Sequence, residues 1–245
     1  MAKATAVRGL TARASLRELG PRLLLARVGD VERYAPGLPG EDPVHDMRVA
    51  CRRLRAALRL LHLRELEPPV KALQDALGQV RDLQLQIAWL KGRDDALAAK
   101  REKLLDRAMK ALPRAVEEFR AHPLPPVKLH GKLGGGRIAR ILKKRHQRFD
   151  ERVEKALQRP SAANMHAVRR SVKQLRYLHE LVRFAEPGIL RELEPLQAAL
   201  GELHDTDVRI GLLRGRPDLL REQKEDRDRL AKIVAAELER FARRS

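Results

Sequence analysis

Apolar positions recur along this chain at steps of three and four, not two, so the pattern predicts helices throughout and no strands. Residues 8–34 are expected to form a first helix, with Leu23, Leu24, Val28 and Val31 on its core side and an interruption or kink at Gly20-Pro21. The loop YAPGLPGEDP leads into a second helix, VHDMRVACRRLRAALRLLHLRE, which Pro68-Pro69 ends. A third helix spans 69–91, with Leu73, Leu77, Val80 and Leu83 inside and Gly92 closing it. A fourth runs from Asp94 to Arg120 and bends at Pro113. The stretch HPLPPVKLHGKLGGG, residues 122–136, has no helical periodicity and reads as a linker rich in proline and glycine. The order then starts again with a basic helix, a helix from Ser161 to about Pro187, one carrying Leu193, Leu196, Leu200 and Leu203, and a last one from Pro217 to Arg244. The expected class is all-α, with two four-helix halves at 1–121 and 137–245.

The polar side of the second helix changes this picture. His45, Arg48, Arg52 and Arg55 fall within about an 80° sector, roughly opposite Met47, Leu54, Leu58 and Leu61. At the usual rise this basic ladder is about 15 Å long, which suits several successive anionic groups better than one phosphate. Asp42 is positioned to cap the helix and Pro43 suits its first turn, which places His45 near the positive end of the dipole.

The pattern returns in MHAVRRSVKQLRYLHELVRF. His166, Arg169, Lys173 and Arg176 each follow their match by 121 residues, as 166 follows 45. A second block also repeats: LQDALGQVRDLQL from Leu73 and LQAALGELHDTDV from Leu196, which pair Gly78 with Gly201 and Asp82 with Asp205. Two copies joined by a linker can pack about a pseudo-twofold axis, with both ladders lining one basic central groove. Arginine offers a planar fork for phosphate oxygens, lysine a mobile point charge, and histidine a donor that charges beside phosphate. Asp82 and Asp205 are placed either to hold ladder arginines or to make ordinary surface pairs; the glycines would let helices approach closely. Further basic contacts are expected from Arg13, Arg17, Arg22 and Arg27 on the first helix, from the shared face of Arg137, Arg140, Lys144 and Arg148, and from His179.

Composition narrows the ligand. A formal net charge of +19 points to a polyanion, while 3% aromatic residues argue against a platform on which single-stranded bases stack. Cys51 is the only cysteine, which excludes an intrachain disulfide and a cysteine metal cluster. No apolar run is long enough to cross a membrane, and the N-terminus lacks the apolar core of a secretory signal, so the expected compartment is the cytoplasm.

The motifs VHDMRVACRRLR, MHAVRRSVKQLRY, LGQVRD and LGELHD, in this order, resemble the conserved histidine α-helical domain, or CHAD, family. The resemblance covers nearly the whole chain as one such domain, 1–245. It implies two four-helix bundles about a basic cavity, binding of inorganic polyphosphate, and association with polyphosphate granules. No nucleophile–base or acid–base pair stands out along the chain, so binding without catalysis, with no cofactor or metal, is expected, and granule proteins are candidate partners. The matching positions are His45, Arg48, Arg52, Arg55, His166, Arg169, Lys173 and Arg176. One departure is Gln174, where the first copy has Arg53. Some members carry a triphosphate tunnel enzyme with an acidic ExExK strand. Glu65-x-Glu67 and Glu192-x-Glu194 lack the lysine and lie in helical settings, so the chain looks like the standalone module.

Two rival readings stay open. A basic helix also contacts nucleic-acid backbones without regard to sequence, which ranks second. A helical HD-type phosphohydrolase would use His204-Asp205 as a metal dyad, with His166 or His179 and Asp207 nearby. The first copy has Arg81-Asp82 there, and a guanidinium is not a ligand.

Overall fold

The computed structural model describes residues 3–133, 136–182 and 188–243. Among these are eight helices: α1 (Leu16–Glu32), α2 (Glu41–Leu60), α3 (Glu67–Leu90), α4 (Asp95–Arg120), α5 (Gly136–Gln158), α6 (Ala162–Leu181), α7 (Ile189–Leu212) and α8 (Pro217–Ala242). The only β-type pairing among the described residues is an isolated bridge between Ser15 and Lys132, so the chain is all-α.

The chain divides into two compact units, 1–135 and 136–245. In the first, α1 packs on α2, α2 on α3 and α3 on α4. The apolar side of α2, with Val44, Met47, Cys51, Leu54 and Leu58 at 0% exposure, is buried together with Leu23, Leu73, Leu77 and Val80. Each such side chain removed from water contributes roughly 1.5–3 kcal/mol before the entropy of ordering is subtracted. In the second unit α5 packs on α6, α6 on α7, α7 on α8, and α5 also on α8. Its core joins Phe149, Val172, Leu175, Leu196, Leu203 and Leu238, with Phe149 meeting Phe241 edge to face at 5.0 Å.

Local chemistry sets the helix ends. Asp94 caps α4 by accepting from Leu97 N at 2.8 Å, and Ser161 caps α6 by accepting from Asn164 N at 3.2 Å. Gly92 follows α3 with φ at +74°, a conformation that favours glycine. Asp42 does not cap α2: Gly40 holds that position, and Asp42 lies inside the first turn with Glu41, where both carboxylates favour the helix dipole. The first helix starts at Leu16, because residues 9–14 are drawn into turns by bonds from Thr11 N to Gly9 O and Ala14 N to Thr11 O. It continues through Pro21 without interruption. The second ladder helix is shorter than expected and ends at Leu181; its expected end near Pro187 lies outside the described residues.

The last part of the expected linker is tied down. Leu129 and Leu133 are buried, Leu16 N donates to Gly131 O, and Leu133 N donates to Ala14 O, both at 2.9 Å. A Cβ on Gly20 would lie 2.2 Å from Leu129 Cδ1, so glycine is what lets this segment seat against α1. Arg27, expected on the basic surface, is buried at 5% exposure beside Asp30 at 2%. The Asp30 carboxylate accepts from Arg27, Arg33 and Thr5 N, fastening the N-terminal segment to α1.

Candidate functional site

All eight ladder residues are half-buried, four on α2 and four on α6. That follows from the helices themselves: one stripe enters the core, and the adjoining stripe borders the next helix, α3 in the first unit and α7 in the second. The neighbours hold the ladders with matching groups. Arg48 Nη2 stands 3.8 Å from Asp82 Oδ1, and Arg169 Nη2 stands 4.0 Å from Asp205 Oδ1. Arg55 Nη1 donates to Gln74 Oε1 at 3.1 Å, and Arg176 Nη1 donates to Gln197 Oε1 at 3.1 Å. Gln74 and Gln197 belong to the repeated LQ blocks, so the signal for them was present in the sequence but pointed only to the glycine and aspartate beside them.

The C-terminal ends of the ladders are partly neutralised. Glu67 accepts from Arg55 Nε at 3.1 Å and from Arg59 Nε and Nη2 at 2.7 and 2.6 Å. Burial pushes the Glu67 carboxyl up, but the hydrogen bonds and charges of Arg59 and Arg55 outweigh it and hold it below the usual range. In the second unit Arg176 Nε meets Glu180 Oε1 at 3.2 Å instead. These carboxylates fix the guanidinium planes while reducing the local positive charge.

The N-terminal ends differ. His45 stands near Arg81, whose guanidinium pairs with Glu41. At the matching place in the second unit stands His204, with its Nδ1 3.4 Å from Nδ1 of His166 and the ring centroids 4.9 Å apart. Burial, then Arg81, lowers the pKa of His45; burial, then Arg170, Arg169 and Lys173, lowers that of His166. His204 is pushed down to about 4 by burial and then by Arg169 and His166, against an opposing pull from Asp205. Near neutral pH these imidazoles are therefore uncharged and poised to gain a proton beside an anion.

Gly78 does not bring two helix backbones together; a Cβ there would meet the Arg48 guanidinium at 3.4 Å, while one on Gly201 would meet nothing within 4 Å. Gln174 accepts from Arg145 Nη1 on α5 at 2.8 Å, so a cation reaches this place from another helix, whereas Arg53 in the first copy is buried. His179 does not extend the second ladder. It is fully buried, with its Nε2 3.0 Å from Nε2 of His146 on α5, and burial pushes it down to about 4. Arg17, Arg140, Lys144 and Arg148 are exposed; the Arg137 side chain lies outside the described residues.

Of the residues of the HD reading, the two histidines His166 and His204 do meet, but both carboxylates are held by arginines. His204 faces His166, Asp205 faces Arg169, and Asp207 accepts from Arg227 Nε at 2.7 Å. Among the described residues, no group of three or more His, Cys, Asp and Glu side chains is placed to hold a metal ion.

The sequence model of the CHAD domain matches residues 22–214, most of the chain and both ladders. The chain belongs to the CHAD family. A crystal structure of the CHAD domain from the plant Ricinus communis is similar in fold, with a TM-score of 0.69 over 97% of this chain and 95% of that one, at 23% sequence identity. No curated protein matches the chain. Within this CHAD chain, no described helix is long and apolar enough to cross a membrane.

Proposed function

We propose that this CHAD protein binds inorganic polyphosphate through the two His/Arg/Lys ladders, without cleaving it, and thereby associates with polyphosphate granules in the cytoplasm. The observation that carries the reading is the paired support of the ladders. Arg48 and Arg169 each face an aspartate, and Arg55 and Arg176 each donate to a glutamine at the same distance. A merely solvated basic face needs no such positioning, whereas charge-assisted contacts with successive phosphates require guanidinium planes held in a defined order. The formal net charge of +19 adds long-range attraction for any polyanion.

The test compares two double variants that remove equal charge. Arg48→Ala with Arg169→Ala takes one arginine from each ladder; Arg114→Ala with Arg221→Ala takes two from exposed helix surfaces. Binding of long-chain polyphosphate is measured with duplex DNA, single-stranded RNA and pyrophosphate as competitors, and free phosphate is assayed throughout. The ladder pair is expected to weaken binding by about a hundredfold and the surface pair by a few-fold at most. Equal losses, or displacement of polyphosphate by duplex DNA at low concentration, would move general polyanion or nucleic-acid binding to the front.

A further inference from the structure

The repeat places chemically different groups at one position. Arg81 and His204 are equivalent in the two LG blocks, and each lies on the helix beside its ladder, next to the first ladder histidine. An arginine keeps its charge at every physiological pH; a half-buried imidazole does not.

Two imidazole nitrogens 3.4 Å apart have room for at most one shared proton. A second proton sets two cations against each other unless an anion joins them. The surroundings act in the same sense. On α6, Arg169, Arg170 and Lys173 bring positive charge to His166; on α7, Asp205 favours protonation of His204 but is shared with Arg169. From α5, Arg145 and Arg152 bond α6 at Gln174 and Ser171, and from α8, Arg227 pairs with Asp207. Without a ligand the cluster therefore resists protonation. A phosphoryl group reverses the balance, because its oxygens accept from both rings and cancel the repulsion.

We propose that His204 and His166 form a two-imidazole phosphoryl subsite that takes protons from solvent as it binds, so that the second half holds polyphosphate more tightly as pH falls. The first half has one imidazole, His45, and the fixed charge of Arg81, and changes less with pH. Around His45 the facing charges are Asp46, Arg48 and Arg52 on its own helix and Arg81 from α3, itself paired with Glu41. The inference rests on the polyphosphate reading and adds a binding residue, His204, with a proton-coupled role.

The experiment titrates the full chain with long-chain polyphosphate calorimetrically at about pH 8, 7 and 6, in buffers of different ionisation enthalpy. The internal phosphates of the ligand stay ionised over this range. Net proton uptake is expected, with affinity rising on the order of tenfold from pH 8 to pH 6. His204→Arg, which copies the first half, is expected to bind at pH 8 and to lose most of that rise. Arg81→His is expected to steepen it. Imidazole NMR on the unaltered chain gives a variant-free reading: the His166 and His204 signals should move to protonated positions when polyphosphate is added near pH 7. Binding without proton uptake, or an unchanged pH slope in folded His204→Arg, overturns the inference and leaves the polyphosphate reading standing. No binding at any pH removes both.

Discussion

Single side chains show how the site trades charge against order. Glu67 fixes Arg55 and Arg59, so Glu67→Gln should release both guanidinium groups, tighten polyphosphate binding and lower stability by about 1–3 kcal/mol near pH 7. Because the folded carboxyl lies below its unfolded range, its contribution is complete above that range and is lost as pH falls through the folded value. Urea midpoints of the two proteins should therefore converge on acidification. His179 is a base rather than an acid, and its lowered value has the same outcome in acid. Its folded value of about 4 lies below the ordinary imidazole range, near 6.5, so the unfolded chain takes the proton first and stability falls between those values as pH drops. His179→Leu should flatten that fall in denaturation series from about pH 7 to pH 4.5, and an unchanged slope would assign the acid sensitivity to other groups. Gly201 has open space around its missing Cβ, so Gly201→Ala should raise stability by about 1 kcal/mol through helix propensity alone, read as a higher denaturant midpoint.

At the scale of helices, the positions of the ladders were legible because burial and charge follow one period. Met47, Leu54 and Leu58 are fully buried on the side opposite the basic stripe, and Leu175 is buried on α6. Leu54→Ala should therefore cost about 2–5 kcal/mol in chemical denaturation and loosen the arginines on the same helix. What the period could not reveal is which neighbouring helix supplies a partner. Arg27 and Asp30 have the spacing of a surface pair, yet Thr5 and Arg33 close over them and both are buried. His179 lies in angle near the ladder, but His146 from α5 meets it inside the bundle. The start of α1 lies later than expected because the backbone of residues 9–14 is drawn into turns and residues 14–16 pair with 131–133, a long-range partner that no local pattern reveals. Gln74 and Gln197 were hidden for a related reason: an amide beside a leucine looks ordinary until an arginine from the preceding helix is found donating to it.

For the molecule as a whole, the net charge of +19 has two consequences of opposite sign. Self-repulsion weakens the free fold and salt screens it, so moderate salt should raise the melting temperature of the free protein while weakening its hold on polyphosphate. The two ladders add a dependence on polymer length. On the polyphosphate reading each half carries its own ladder, so a short polymer would engage one of them, whereas a polymer long enough to reach both would meet the second at a raised effective concentration. Long chains should then bind on the order of a hundredfold more tightly than tripolyphosphate when compared per molecule. Arg169→Ala with Lys173→Ala should remove most of that preference while leaving tripolyphosphate bound at the first ladder. Calorimetry with size-fractionated polyphosphate checks both statements at one salt concentration. A preference that persists in the variant would mean that one ladder and the general positive field suffice, because linked binding disappears when either of its two sites is lost.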